Sequence, residues 1–167
     1  MKNRSFYILI TAMVLLSIMA VLLIFFLFNA DQKFEGSIMV KENGITETLI
    51  PVRDLVLSPG VEKDYDVKLI CDASGSYFVR IDFQEKADGD GGMKEFVDVI
   101  VEFDGKEVYQ GRLTELIDEG FVIDTEHELK AKDPVDVTFR YIMPMEIGNE
   151  AQGTYAYFDV HIVIEKS

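Results

Sequence analysis

One cysteine, no tryptophan and only two histidines are spread over 167 residues. The lone thiol, Cys71, excludes an intrachain disulfide framework, so a folded domain here rests on its own hydrophobic core. Neither a Gly-x-Ser-x-Gly elbow nor a phosphate-binding loop occurs, which removes the sequence marks of that class of serine hydrolase and of a P-loop enzyme. Charge is missing altogether between Phe6 and Phe28, and no acidic residue precedes Asp31.

The uncharged run is 23 residues long, interrupted only by Thr11 and Ser17. As a helix it would extend roughly 35 Å, enough to cross a hydrocarbon core of about 30 Å with some tilt. A soluble core helix needs no apolar surface on every side, whereas a spanning helix does. Lys2 and Arg4 precede the run and Asp31 follows it, so the positive-inside rule leaves the N-terminus in the cytoplasm and exports the rest. The rival is a cleaved leader, which would leave the remainder secreted. Its apolar region would normally be about 7–15 residues. A cut after Ala30 would also set the bulky Phe28 at the −3 position. The sequence therefore predicts a cytoplasmic N-terminus over 1–5, a transmembrane signal-anchor helix over 6–28, a neck over 29–36 and an extracytoplasmic domain over 37–167.

With Lys2 and Arg4 set aside, the exported part carries all 30 acids against 14 bases, a net charge of −16. Such a field repels nucleic acid and anionic lipid. It suits divalent cations and basic partners, and it also serves plain solubility.

Beyond the neck, apolar residues recur with period two, the mark of half-buried strands. Tyr65, Val67, Leu69 and Cys71 form one such face, and Tyr77, Val79, Ile81 and Phe83 a second. Others are Val97, Val99, Val101 and Phe103; Val135, Val137, Phe139, Tyr141 and Met143; and Phe158, Val160, Ile162 and Ile164. Ser58-Pro59-Gly60, Asp72-Ala73-Ser74-Gly75 and Asp104-Gly105 supply turns, the last a two-residue hairpin signal. Ala87 to Gly92 reads as an irregular loop, too rich in glycine for a strand, and only Thr114–Asp118 reads as helical. The expected fold is all-β, an antiparallel sandwich of jelly-roll or immunoglobulin-like type with about seven to nine strands.

His127-Glu128-Leu129-Lys130-Ala131 begins like a zinc-protease helix, but Ala131 stands where the second imidazole belongs and the run from Phe121 to Leu129 reads as a strand. His161 falls on the polar face of the last strand. Cys71 lies in register with core residues, so it reads as a buried thiol rather than a nucleophile. No catalytic set and no cofactor site emerges. Asp88 and Asp90, in Asp88-Gly89-Asp90-Gly91-Gly92, are the candidate metal ligands, two carboxylates on a loop that would share a hard cation such as calcium. The cluster lacks the remaining ligands of a helical calcium loop, and a solvated hairpin tip is the better account of it. Asp118-Glu119 and Asp124 with Glu126 are weaker acidic pairs. Tyr155 and Tyr157 point outward on the last strand, where they would stack on carbohydrate, pack against a subunit or lie under a neighbouring loop.

The stretch Pro144-Met145-Glu146-Ile147-Gly148-Asn149-Glu150-Ala151-Gln152-Gly153, with the alternating strand that follows it, resembles the C-terminal part of the camelysin/TasA-like family of Gram-positive surface and biofilm-matrix proteins. The turn Leu57-Ser58-Pro59-Gly60 resembles that family as well, as does Asp104-Gly105-Lys106-Glu107-Val108-Tyr109-Gln110-Gly111 before Leu113-Thr114-Glu115-Leu116. The resemblance implies a jelly-roll-like sandwich, export to the envelope and, in some members, assembly into extracellular fibres. Camelysin itself is classed as a metallopeptidase, but no metal motif is present here to carry that over. Family precursors lose their leader, whereas this one reads as an anchor. The expected function is that of a cell-surface structural or interaction protein, an envelope or biofilm-matrix subunit contacting like subunits or other envelope proteins. The alternatives are an anchored accessory or binding module of an envelope complex and a camelysin-like surface metalloendopeptidase.

Overall fold

The computed structural model describes Met13, residues 16–20 and residues 34–167; the side chains of residues 34, 35, 54 and 87–90 are outside that description. The chain divides into two units, Met1–Gln32 and Lys33–Ser167. In the first, Met13 and residues 16–20 are helical, and the rest of the expected span over 6–28 lies outside the described residues. Among the described residues no helix is long and apolar enough to cross a membrane.

The second unit is a two-sheet sandwich, as the alternating faces require. Its strands are β1 (Phe34–Val40), β2 (Ile45–Leu55), β3 (Glu62–Cys71), β4 (Gly75–Asp90), β5 (Asp98–Phe103), β6 (Lys106–Arg112), β7 (Ile123–Leu129), β8 (Val135–Ile142) and β9 (Ala156–Lys166), with one helical turn, α1 (Leu113–Ile117), after β6. Sheet A runs β1-β3-β8-β5-β6 and sheet B runs β2-β9-β4-β7. Strand β1 begins at Phe34, inside the stretch read as a neck.

Two expectations are corrected. The sandwich is not wholly antiparallel, because β1 lies parallel to β3, with Phe34 opposite Tyr65 and Val40 opposite Cys71. The chain leaves sheet A after β1, descends in sheet B as β2 and returns to sheet A as β3, so the two neighbours point the same way. Nor is 87–92 a free loop. Strand β4 continues to Asp90, which pairs with Ala156 after a register shift beyond Glu85. The shift absorbs the residues whose glycine content argued against a strand.

The predicted inward faces form the core. Val67, Leu69, Val79, Ile81, Val99, Val101, Val137, Phe139, Val160 and Ile162 are all buried, and Cys71 is buried among them. Aromatic contacts tie the sheets together. Phe83 of sheet B meets Phe139 of sheet A at 6.3 Å between ring centroids, and Tyr141 meets Phe158 at 5.8 Å. Burying a side chain of this size is worth about 2–3 kcal/mol relative to exposure. The Asp104-Gly105 turn joins β5 to β6 with φ of 51° and 70°, the left-handed pair of a type I′ hairpin. At Ser58-Pro59-Gly60 the Val61 amide donates to the Ser58 carbonyl at 2.9 Å, with Gly60 at φ 78°, a type II turn.

The connections sort into two poles. Residues 41–44, 72–74, 104–105 and 130–134 are short and gather at one pole, cross-tied by Asp72 N to Val40 O at 3.1 Å and Lys132 N to Cys71 O at 2.8 Å. Residues 56–61, 91–97, 113–122 and 143–155 gather at the other, where β1 also begins. Two 3-10 turns that alternation does not signal, Met93–Phe96 and Met145–Ala151, lie in this second set.

Candidate functional site

Register fixes which outward residues become neighbours on sheet B. Strand β9 runs between β2 and β4, setting Leu49, His161 and Asp82 in one row and Ile45, Glu165, Phe78 and Glu126 in another. Two carboxylates, an imidazole and a carboxamide, drawn from three strands, therefore meet. The His161 Nδ1 lies 2.8 Å from Asp82 Oδ1, and its Nε2 lies 2.6 Å from Glu47 Oε1. Gln84 Nε2 donates to Asp82 Oδ2 at 2.9 Å and approaches His161 Nδ1 at 3.4 Å. The ring bridges the two carboxylates and so links edge strand β2 to β9 and β4.

Beside this cluster a shallow groove of about 300 Å³ is lined by Phe78, Arg80, Asp124, Val163 and Glu165. Arg80 Nη2 lies 3.4 Å from Asp124 Oδ2, an exposed ion pair across β4 and β7. Phe78, Ile45 and Leu49 are 45, 56 and 53% exposed, so the face is apolar and charged by turns. At its other end Asp159, buried to 5% exposure, is paired with the Lys86 ammonium.

The outer face of sheet A is more fully ionic. Arg140 on β8 donates from Nε to Asp64 Oδ1 at 3.0 Å and has Glu102 Oε1 3.6 Å from Nη1. The Asp64 hydrogen bond, followed by the field of that carboxylate and of Glu102 and Glu62, holds its pKa above the ordinary arginine value against the opposing effect of burial. Thr138 Oγ1 donates to Asp66 at 2.7 Å.

The residues singled out in the sequence are dispersed. Asp88 and Asp90 belong to the end of β4, and their side chains lie outside the described residues. Asp118 is engaged by Lys94 at 2.8 Å, Asp124 by Arg80, and Glu126 by Ser76 Oγ at 2.7 Å. His127 and His161 sit on opposite faces of sheet B and do not meet. His127 points inward and stacks on Phe103 with ring centroids 3.5 Å apart. Burial, then the nearby Lys106, lowers its pKa, with Asp104 opposing. Cys71 is buried, and desolvation followed by the Asp72 charge pushes its thiol up, away from the reactive thiolate. Tyr155 and Tyr157 form a pair 5.0 Å apart, with the Tyr155 ring in the space that a Cβ on Gly91 would need. The loop at 91–92 thus lies against one side of Tyr155 while the residue stays 38% exposed.

Among the described residues no group of three or more His, Cys, Asp or Glu side chains is placed to hold a metal ion. Among the described residues the bonding partners of His161 are two carboxylates and a carboxamide. What sheet B offers instead is a patterned surface: an apolar and aromatic set framed by ion pairs. The sequence placed His161 on a polar face but could not reveal this cluster, because Glu47, Asp82 and His161 become neighbours only through strand order.

No protein-family model and no curated protein matches the chain. Among solved structures it is similar to a β-glucosidase from Paenibacillus barengoltzii, with 10% identity over 81% of this chain and a TM-score of 0.38. This chain spans 12% of that enzyme's length. It is also similar to a family 35 carbohydrate-binding module from an environmental isolate, with 13% identity, 66% of this chain, 72% of that one and a TM-score of 0.35. A third is the periplasmic g-type lysozyme inhibitor PliG of Aeromonas hydrophila, with 6% identity, 80% of this chain, 99% of that one and a TM-score of 0.31. At such scores these likenesses carry no argument about function.

Proposed function

We propose that this chain is a cell-surface interaction protein, held by an uncleaved 6–28 anchor with its N-terminus in the cytoplasm. Its β-sandwich would be displayed outside the membrane to a protein partner, either a like subunit or another envelope protein. The observation that carries the reading is the outer face of sheet B, where Phe78 and Val163 line a groove with Arg80, Asp124 and Glu165, and exposed Ile45 and Leu49 stand beside it on edge strand β2. Exposed apolar side chains interleaved with charged ones suit a transient protein interface. The uncharged 23-residue run at 6–28 and the asymmetry of Lys2, Arg4 and Asp31 around it support the anchor. The motif resemblance to camelysin/TasA-like surface proteins supports the envelope location.

Intact mass of the protein recovered from its native envelope, with membrane and medium fractions measured separately, tests this reading. A full-length species confined to the membrane is the expected result. A shortened species beginning near Asp31 in high-molecular-weight material outside the cell would replace it with a secreted matrix subunit.

A further inference from the structure

The exposed apolar side chains in the loops of the sandwich all lie at one pole. Val56, Val61, Phe121, Val122, Met145 and Tyr155 are between 38 and 73% exposed, and each belongs to a connection at the pole where β1 begins. The connections of the opposite pole are Lys41-Glu42-Asn43-Gly44, Asp72-Ala73-Ser74, Asp104-Gly105 and Lys130-Ala131-Lys132-Asp133-Pro134, none of which holds a large apolar residue. The opposite pole has shorter connections, and its exposed apolar side chains, Met39 and Ile45, stand on strands rather than in the connections.

The densest part of the set is compact. The Met145 side chain lies over Gly60, its Cε 2.9 Å from where a Cβ on that residue would stand. Gly60 N donates to Met143 O at 2.8 Å, and Met143 N donates to Val61 O at 3.1 Å, so the 56–61 turn and the start of the 143–155 loop are laced together. Met145 is 73% exposed, Val56 63% and Val61 45%. The whole segment from Val56 to Val61 is uncharged, in a domain whose net charge is −16. Strand β3, which follows this turn, is the neighbour of β1.

Only five residues separate Phe28 from β1. Fully extended, they reach at most about 20 Å, of which roughly 7 Å is headgroup layer. Resting on the anchored reading above, we infer that the Val56, Val61 and Met145 tip seats in the headgroup layer of the bilayer that holds the anchor. The lipid surface then orients the sandwich and leaves sheet B free to meet partners. Apolar loop tips gain from this position, and the absence of charge in 56–61 spares that segment a desolvation cost. The preferred lipid is zwitterionic, because Glu146 and Glu150 in the neighbouring loop oppose an anionic surface.

The lack of any native tryptophan allows a single-reporter test on the full chain in phosphatidylcholine vesicles. M145W and V56W each place an indole at the tip, and N43W places one at the opposite pole. Vesicle flotation is measured first. Failure of the full chain to float overturns the anchor, and with it this inference. If it floats, the tip reporters are expected to emit further to the blue than N43W and to lose roughly half their intensity in brominated phosphatidylcholine, as an indole at headgroup depth does. Adding phosphatidylserine should weaken both effects. Tip reporters indistinguishable from N43W overturn the inference while leaving the anchor intact. A blue shift that is insensitive to bromine and grows with protein-to-lipid ratio also overturns it, assigning the tip to contact between copies.

Discussion

The Lys94 ammonium lies 2.8 Å from Asp118 Oδ1, joining the Met93–Phe96 turn to the end of α1, and Glu85 Oε1 of β4 stands 2.9 Å away on the same nitrogen. Lys94 is only 9% exposed, whereas the two carboxylates are partly open to water. That asymmetry decides which substitution hurts. K94M leaves two acids that water can hydrate and should cost about 1 kcal/mol, whereas the E85Q/D118N pair strips a buried cation of both carboxylates and should cost roughly 3 kcal/mol. The Asp118 hydrogen bond, aided by Glu85, raises the lysine pKa despite burial. A raised pKa contributes stability that is complete below the ordinary lysine value and fades as pH climbs through the folded one. Urea unfolding of the wild type and both variants between about pH 6 and pH 9 should therefore show a constant contribution from the lysine. Equal costs for K94M and the double variant would refute the asymmetry.

Tyr109 Oη donates to Glu115 Oε2 at 3.0 Å directly above Gly111, where a Cβ would stand inside van der Waals contact of both groups. The glycine is thus needed for space, not for turning. Burial, then the Glu115 hydrogen bond and charge, holds the tyrosine well above its ordinary pKa. E115Q should bring the phenol down while leaving it raised by burial, and G111A should lower it by displacing the ring at a cost of roughly 1–2 kcal/mol. Ultraviolet titration of tyrosine ionisation reads both. An unchanged titration in E115Q would mean that the carboxylate plays no part.

Period-two alternation made the core legible because each strand buries one face, and it located Val67, Leu69, Val79, Ile81, Val137 and Phe139 without any knowledge of strand order. The same parity is silent on direction, so the parallel β1–β3 pair could not be read from it. Glycine content also misled at 87–90, where pairing with β9 carries the strand through residues of poor strand preference. The His161 cluster was illegible for a third reason. Glu47, Asp82 and His161 each look like ordinary outward residues, and their 2.6 and 2.8 Å contacts exist only because β9 is central in sheet B. Lys94 gave no signal at all, since a lone lysine beside glycines reads as solvated loop.

His127 supplies the acid side of the stability profile. Its pKa is lowered by burial and then by Lys106. The neutral ring is thus favoured in the folded state, and its contribution is complete above the unfolded value near about pH 6.5 and lost as pH falls through the lowered one. H127F keeps the flat stack on Phe103 and removes the titration. The difference in unfolding free energy between wild type and H127F should drift in favour of the variant as pH drops from about 7 to 5, with the carboxylates common to both cancelling out. A difference independent of pH over that range would show that the ring does not titrate with folding.

Tyr77 and Tyr141 offer a matched pair, since both are wholly buried and differ in the fate of the hydroxyl. Tyr77 Oη donates to the Ala73 carbonyl at 2.7 Å, anchoring the turn between β3 and β4. Tyr141 Oη has no hydrogen-bond partner among the described residues, although its ring is well packed, 5.5 Å from Tyr65 and 5.8 Å from Phe158. Removing a satisfied buried hydroxyl strands its acceptor, whereas removing an unsatisfied one relieves a desolvation penalty. Y77F should therefore lose about 1 kcal/mol and Y141F should gain about as much. For a domain of this size that corresponds to melting temperatures moved by roughly 3–5 °C in opposite directions, resolvable by calorimetry. The ring contacts survive in both variants, so the comparison isolates the hydroxyls. If Y141F melts below the wild type as Y77F does, the Tyr141 hydroxyl is satisfied in solution and the accounting for the core beneath β8 must change.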